Sequence, residues 1–229
     1  MNHFDIKLVS KISHEVMSPI ISSKWAIEIL LDDKSLDLPK GKRAFLKNIY
    51  NNLDRVSTIT NKLINYSRFS VSAFLPVYVE VDLSKILKKI VTRLNEDFTE
   101  ANTKLVVSNS DFLINADQSM VEFLFHSIIH NAIVYSNQGS EITIKLDRLV
   151  EGNISFEVSD KGIGIPENDQ PKIFSEFFRA SNPDDLYVKG IGLSLFLCKK
   201  ICEICNYEIT FKSKVNFGSS FKVLFPIKK

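Results

Sequence analysis

The chain has 229 residues, 45% hydrophobic and 24% charged, and this near-average composition excludes a disordered tail, a collagen-like fibre and a membrane-embedded bundle. Its 29 basic and 27 acidic side chains give a net charge of +2, which predicts no bulk attraction to nucleic acid or to an anionic membrane. Three cysteines without a framework spacing are typical of a reducing cytoplasm. We therefore expect a cytoplasmic protein, or the soluble part of a membrane-anchored one, with no membrane segment in this chain.

The first 69 residues predict two long helices joined by residues 32–42. In the first segment, apolar side chains recur at about 100° per residue over about 28 residues: Leu8, Val9, Ile12, Val16, Ile20, Ile27, Leu30 and Leu31. The second segment carries a heptad seam: Leu46, Ile49, Leu53, Val56, Thr60, Leu63 and Ser67. One hairpin cannot cover both seams, so we expect a homodimer that completes a four-helix bundle. An intrachain coiled-coil spacer is the alternative interpretation.

From residue 77 onward, short strand-like runs alternate with helical runs. Asp82 and Asp117 stand where N-caps are expected, ahead of helices that run to about residues 101 and 135, and a third helix is predicted over residues 191–205. Strands are predicted over residues 77–81, 104–107, 112–115, 141–149, 153–159, 207–213 and 220–225.

These elements predict an α+β chain of two domains with a boundary within residues 70–76. Residues 1–70 form the helical hairpin of a dimeric four-helix bundle. Residues 71–229 form an α/β sandwich, in which helices cover one face of a mixed sheet.

Glycines punctuate two loops of the second domain. Gly162 and Gly164 follow Asp160 at the end of a predicted strand, and Gly190 and Gly192 precede a predicted helix. Glycine lets a backbone approach a ligand closely, and a helix N-terminus attracts phosphate. A carboxylate such as Asp160 can accept a hydrogen bond from the exocyclic amine of a base. Each pair alone is more often a tight turn than a nucleotide site.

Five segments, in this order, resemble the sequence boxes of the sensor histidine kinases of two-component systems. They are the phosphoacceptor box SHEVMSPI (residues 13–20), the N box HSIIHNAIVYS (126–136), the first glycine box DKGIGIP (160–166), the F box KIFSEFFR (172–179) and the second glycine box GIGL (190–193). The resemblance covers nearly the whole chain. It implies an ATPase fold shared with gyrase and heat-shock chaperones, binding of ATP and Mg²⁺, and input from an upstream sensor domain or sensor protein.

The resemblance implies that the γ-phosphoryl group of ATP moves to His14 and then to an aspartate on the receiver domain of a response regulator. His14 lies about 150° from the centre of the apolar face, on the solvent side. Glu15 can orient the ring or take its proton. Ser18 stands where the family often has a Thr or Asn that positions a water for dephosphorylation of the regulator. Ile21 and Trp25 continue this stripe and are expected to dock the regulator; alternatively they pack on the second helix or on the ATPase domain.

In the second domain, residue chemistry and the resemblance together indicate the nucleotide contacts. Asn131 is expected to hold Mg²⁺ together with the ATP phosphates, which suits a hard cation that keeps most of its waters. Tyr135 is expected to lie against the adenine, and Arg179 to reach the terminal phosphate. The whole expected set is Asn131, Tyr135, Asp160, Gly162, Gly164, Ile165, Arg179, Gly190, Gly192 and Leu193.

Two departures from the family pattern weaken this expectation. Ser127 stands where the N box usually has a first Asn, and Val134 where it usually has a Lys. Loss of a charge-assisted contact costs about 1.5–3 kcal/mol, so the enzyme is expected to be weak or slow. The alternative is a non-catalytic histidine phosphotransfer or scaffold protein with a degenerate ATP site. A chaperone-type or topoisomerase-type ATPase is a third interpretation, but it leaves the box around His14 unexplained.

Two further features have either a functional or a purely structural interpretation. The segment between Ile165 and Gly190 contains three prolines and a polar run, and predicts a mobile lid over the nucleotide. Its phenylalanines are expected to anchor it to the sheet or to the helical domain, or to form a purely structural cluster: Phe174, Phe177 and Phe178. Three cysteines share one helical face and are expected to be buried thiols rather than a metal or redox site: Cys198, Cys202 and Cys205.

Overall fold

A computed structural model describes residues 3–33, 36, 38–69, 75–109, 111–150, 152–182 and 190–226, with side chains for all of these except residues 3–14 and 109. The chain divides into two compact units, Met1–Phe74 and Leu75–Lys229. Residues 70–74, within the predicted boundary, lie outside the described residues. None of the helices in the described ranges is long and apolar enough to cross a membrane.

The first unit is a helical hairpin of α1 (His3–Asp32) and α2 (Lys40–Phe69), as the apolar periodicity predicts. Ile20 and Ile27 of the predicted face are buried. Lys24 forms an ion pair with Asp54 across the hairpin, and its ammonium lies 4.8 Å from the centre of the Tyr50 ring. The two helices therefore pack along a mixed apolar and polar seam.

The second unit contains a mixed sheet and a separate ribbon. The sheet has the order β2 (Lys104–Asn109), β4 (Glu141–Arg148), β5 (Ile154–Ser159), β7 (Gly218–Phe225) and β6 (Glu208–Lys214). Strands β2 and β4 are parallel, and the other neighbours are antiparallel. Among the described residues, strands β1 (Val79–Asp82) and β3 (Leu113–Ala116) pair only with each other. This confirms the mixed sheet.

The helices begin and end where local chemistry directs. The Asp82 carboxylate accepts a hydrogen bond from Lys85 N at 3.0 Å, and that of Asp117 accepts one from Met120 N at 3.2 Å, so both predicted N-caps are confirmed. They begin α3 (Leu83–Arg93) and α5 (Gln118–Tyr135). The helix predicted to continue to residue 101 is wrong as a single element, because buried Leu94 separates α3 from α4 (Asn95–Glu100).

The core lies between the sheet and helices α5 and α6 (Ser194–Cys205). The rings of Phe125 on α5 and Phe156 on β5 stack with centroids 3.9 Å apart. All three cysteines are buried thiols on α6 and form no disulfide within the described ranges, as predicted. Burial raises the pKa of Cys202 to about 12 and that of Cys205 to about 11, so these thiols are unreactive at neutral pH.

Candidate functional site

The first glycine turn, residues 160–165, begins directly after β5 with the carboxylate of Asp160. Its Oδ1 accepts hydrogen bonds from the backbone N–H groups of Gly162 at 2.9 Å and Ser219 at 3.2 Å. Burial raises the pKa of Asp160 to about 6, although both of these hydrogen bonds lower it. A carboxylate desolvated in this way is a candidate for binding a donor group of a ligand.

Two glycines let this turn pack closely against its neighbours. A Cβ atom on Gly162 would lie 1.9 Å from the Tyr135 carbonyl oxygen at the end of α5, and one on Gly164 would lie 2.1 Å from the Lys214 carbonyl oxygen. Gly164 also has a φ of +68°, a conformation that side chains disfavour. The turn is therefore held between α5 and the β6–β7 hairpin.

The β6–β7 hairpin is the part of this site that sequence reasoning missed. Ile165 N donates to the Ser213 hydroxyl at 2.9 Å, and Asn216 N donates to the Ile163 carbonyl at 2.9 Å. Asp160 N donates to the Ser219 carbonyl at 2.8 Å. These bonds join residues about fifty positions apart, so no local sequence signal predicts them.

Helix α5 presents the N-box residues. Asn131, Val134 and Tyr135 are half-buried, and Ser127 is buried. In the described part of the chain no three His, Cys, Asp or Glu side chains form a metal-binding group. The Asn131 amide oxygen and the Ser127 hydroxyl are hard donors, and this small set fits a Mg²⁺ ion that takes its other ligands from water and phosphate.

The second glycine box lies beside the F box. A Cβ atom on Gly192 would lie 2.6 Å from the Phe177 carbonyl carbon, whereas one on Gly190 would meet no described atom within 4 Å. Leu193 is fully buried at the start of α6, and its side chain offers no cap to the helix. The helix was predicted to begin at Ile191 but begins three residues later, at Ser194.

The described part of the predicted lid is held in place by hydrogen bonds and an aromatic contact. The Asn182 side-chain amide donates to the Gly164 carbonyl at 2.9 Å, and the Ser181 hydroxyl donates to Asp169 at 2.8 Å. The Phe174 ring packs edge-on against Phe211 of β6, with centroids 5.8 Å apart, so this anchor to the sheet is confirmed. Residues 166–182 are therefore a hydrogen-bonded loop, and Pro183, Asp184 and Asp185 lie outside the described residues.

Two other side chains of the F box differ from Phe174 in their surroundings. Phe177 is 57% exposed and has a φ of +59°, and its role as an anchor of the loop stays a prediction. The Arg179 Nε atom is buried and has no hydrogen-bond partner in the described ranges. An unpaired buried donor is costly, and a bound anion would satisfy it.

The predicted phosphoacceptor group lies on the first unit. His14 is part of α1, and the described side chains begin at its neighbour Glu15. Glu15 and Ser18 are exposed, as are Ile21 and Trp25, the latter at 67%. The exposure of Ile21 and Trp25 in the single chain is compatible with the docking hypothesis, which stays a prediction, as does their alternative packing on the second helix or on the ATPase domain.

Comparisons with known proteins agree on one family. Residues 116–229 match the family model described as histidine kinase-, DNA gyrase B-, and HSP90-like ATPase. The adaptive-response sensory kinase SasA of Crocosphaera subtropica is 29% identical over 98% of this chain and 60% of its own length. The sensor-like histidine kinase SenX3 of Mycolicibacterium smegmatis is 28% identical over 95% and 56%. The chain thus spans little more than half the length of these relatives.

Solved structures have the same fold. Full-length ShkA in complex with AMPPNP superposes with a TM-score of 0.73 at 17% identity, over 96% of this chain and 45% of that one. The Acinetobacter baumannii histidine kinase AdeS superposes with a TM-score of 0.65 at 18% identity, over 94% and 98%.

Proposed function

Because the chain belongs to the sensor histidine kinases, we propose that it is the ATP-dependent kinase core of a two-component system. It phosphorylates His14 and passes the phosphoryl group to an aspartate on a response regulator in the cytoplasm, under the control of an upstream sensor domain or sensor protein. The observation that carries the proposal is the half-buried Asp160 carboxylate, in a turn that Gly162 and Gly164 pack against α5 and the β6–β7 hairpin.

The second unit binds the nucleotide through these groups. Asp160 accepts a hydrogen bond from the adenine amine, and Tyr135 lies against the base. Arg179, whose buried Nε lacks a partner in the described chain, binds the phosphates together with the start of α6. Asn131 holds Mg²⁺, which neutralises phosphate charge when it is bound. The walls of the proposed nucleotide pocket are formed by Ile165, Gly190, Gly192 and Leu193.

The proposed reaction moves a phosphoryl group from an oxygen of ATP to a ring nitrogen of His14, and then to an oxygen of the regulator's aspartate. A neutral ring nitrogen attacks the γ-phosphorus, so an N–P bond forms while the bond from that phosphorus to the β,γ-bridging oxygen breaks and ADP leaves. Glu15 takes the ring proton. A carboxylate oxygen of the regulator's aspartate then attacks the same phosphorus, the N–P bond breaks, and the imidazole leaves as its ring regains the proton from Glu15. Ser18, one helical turn on, positions a water for dephosphorylation of the regulator.

A homodimer completes the helical unit. On the predicted seams, Val56 and Leu63 of α2 and Val16 and Leu30 of α1 are each about two-fifths exposed or more in the single chain. A second copy would cover these side chains in a four-helix bundle. This exposure supports the dimer over the intrachain spacer.

Labelling with γ-labelled ATP and Mg²⁺ tests the proposal against its rivals. Phosphohistidine is labile to acid and stable to alkali, so label with that behaviour is expected on the wild-type chain. Nucleotide binding without label would favour the non-catalytic scaffold, which Ser127 and Val134 make the principal alternative. Hydrolysis without a phosphoprotein would favour a chaperone-type or topoisomerase-type ATPase.

Val134→Lys is expected to tighten ATP binding by about tenfold or more, because a charge-assisted contact contributes about 1.5–3 kcal/mol. The measurement is the ATP dissociation constant by calorimetry, with Val134→Met as the uncharged control. An affinity equal to that of the control would refute this explanation of the N box.

Trp25→Ala is expected to weaken binding of the regulator by about tenfold, since a large exposed aromatic side chain is the usual centre of an interface. The probe is the receiver domain that accepts phosphoryl from this chain. Phe45→Ala is the matched control, because Phe45 is equally exposed on the other helix. Equal affinities of the wild type and the Trp25 variant, with the fold intact, would exclude Trp25 from the docking surface.

A further inference from the structure

One peptide group of the first glycine turn is held at both ends by side chains from other parts of the second unit. The carbonyl oxygen of Gly164 accepts a hydrogen bond from Asn182 Nδ2 at 2.9 Å. The N–H of the same peptide, which belongs to Ile165, donates to Ser213 Oγ at 2.9 Å. Asn182 comes from the loop 166–182 and Ser213 from strand β6, so the peptide is gripped from two directions.

The orientation of the Asn182 amide follows from its neighbours. Its nitrogen lies 2.9 Å from the Gly164 carbonyl oxygen and 3.5 Å from that of Ile163. The reverse orientation would place an amide oxygen against two carbonyl oxygens, which repel it. The Asn182 oxygen is buried and has no hydrogen-bond partner in the described ranges, so this side chain is oriented by the glycine turn alone within those ranges.

These two hydrogen bonds matter because Gly164 is the residue of the turn whose backbone rotates most easily. Its φ of +68° and the lack of a Cβ allow the following peptide to rotate more easily than at any other residue type. Ser213 is also linked to Asp160 through Ser219. The Ser213 hydroxyl lies 2.9 Å from the Ser219 hydroxyl, and the backbone N–H of Ser219 donates to the Asp160 carboxylate.

We propose that Asn182 and Ser213 are a pair of positioning residues for nucleotide binding, which lock the Gly164–Ile165 peptide and so fix the turn beside Asp160. Neither residue belongs to the sequence boxes. The inference rests on the proposed function, since it concerns the same nucleotide site. Because both residues hold one peptide, loss of either releases it, and loss of the second adds little.

The test is a double-mutant cycle on ATP and ADP affinity, measured by calorimetry on the full chain with Asn182→Ala, Ser213→Val and the double variant. Each single variant is expected to raise both dissociation constants by about tenfold, and the double variant to raise them no further than one single variant does. Ser213→Thr keeps the hydroxyl in the shape of valine and is expected to restore binding. A merely structural role would give additive losses.

Two further readouts keep the result interpretable. Ser181→Ala removes a hydrogen bond of the same loop to Asp169 and is expected to leave affinity unchanged. Amide exchange of the nucleotide-free chain is expected to speed up at Ile165 in both single variants, with an unchanged unfolding transition. Additive losses, failure of Ser213→Thr to restore binding, or wild-type affinity in both single variants would overturn the pairing. A wild-type chain that binds neither nucleotide would instead overturn the proposed function, and this inference with it.

Discussion

Replacement of His14 by alanine is expected to reduce acid-labile label from γ-labelled ATP to background while leaving ATP affinity unchanged. The reason is that phosphoryl acceptance and nucleotide binding are assigned to different units of the chain. His14 lies on α1 in the first compact unit, whereas the proposed nucleotide contacts lie in the second unit, Leu75–Lys229. The measurement pairs filter-bound label with calorimetric ATP titration of the same preparation.

The contrary outcomes are distinct for this variant. Label that survives His14→Ala would place the phosphoryl group on another residue. Loss of ATP affinity together with the label would mean that the variant perturbs the second unit. His3→Ala is the matched control, because His3 is also a histidine of α1 but lies outside the five boxes, and its variant is expected to retain label.

Asp160→Asn is expected to weaken ATP binding by about one to two decades, because a hydrogen bond to a charged group contributes about 1.5–3 kcal/mol. Burial raises the pKa of the Asp160 carboxyl to about 6, so wild-type affinity is expected to fall as the pH drops through that value. The ATP phosphates titrate in both proteins, so the ratio of wild-type to variant affinity isolates the carboxyl. A ratio that does not change with pH would exclude Asp160 as the acceptor.

The same substitution is expected to have the opposite effect on folding. A carboxyl whose folded-state pKa is raised favours folding fully only below its unfolded value of 3.8, and this contribution is lost as the pH rises through about 6. The asparagine side chain of the Asp160→Asn variant would keep an acceptor for the N–H groups of Gly162 and Ser219 without the partly desolvated charge. Urea denaturation is therefore expected to give a higher free energy of unfolding for the variant at pH 7 and no difference at low pH.

The elements that could be predicted from sequence are those fixed by neighbours along the chain. Asp82 and Asp117 each bond the backbone three residues on, which is a purely local event. The strands of the mixed sheet were predicted because their alternation reports one buried face. The break at Leu94 was missed because its cause is tertiary: this side chain is buried in the second unit, and helical propensity contains no such term.

The candidate site divides in the same way. Asp160 and its glycines form a short motif, so the sequence indicated them directly. The sequence does not indicate Ser213, Ser219 and Asn182, because each reaches the turn from a distant segment and a single Ser or Asn carries no signal of such a contact. The left-handed backbone conformation of Phe177 has no local sequence signal either, and the residue that lies against its backbone, Gly192, is distant in sequence.

The most direct test of the kinase assignment is to locate the phosphoryl group. The wild-type chain would be incubated with ATP and Mg²⁺, kept at neutral to alkaline pH, digested and sequenced by tandem mass spectrometry. A phosphoryl group is expected on the ring of His14, dependent on ATP and absent from the Asp160→Asn variant at limiting nucleotide. Bound nucleotide with unmodified His14, or a phosphoryl group on any other residue, would contradict the kinase assignment.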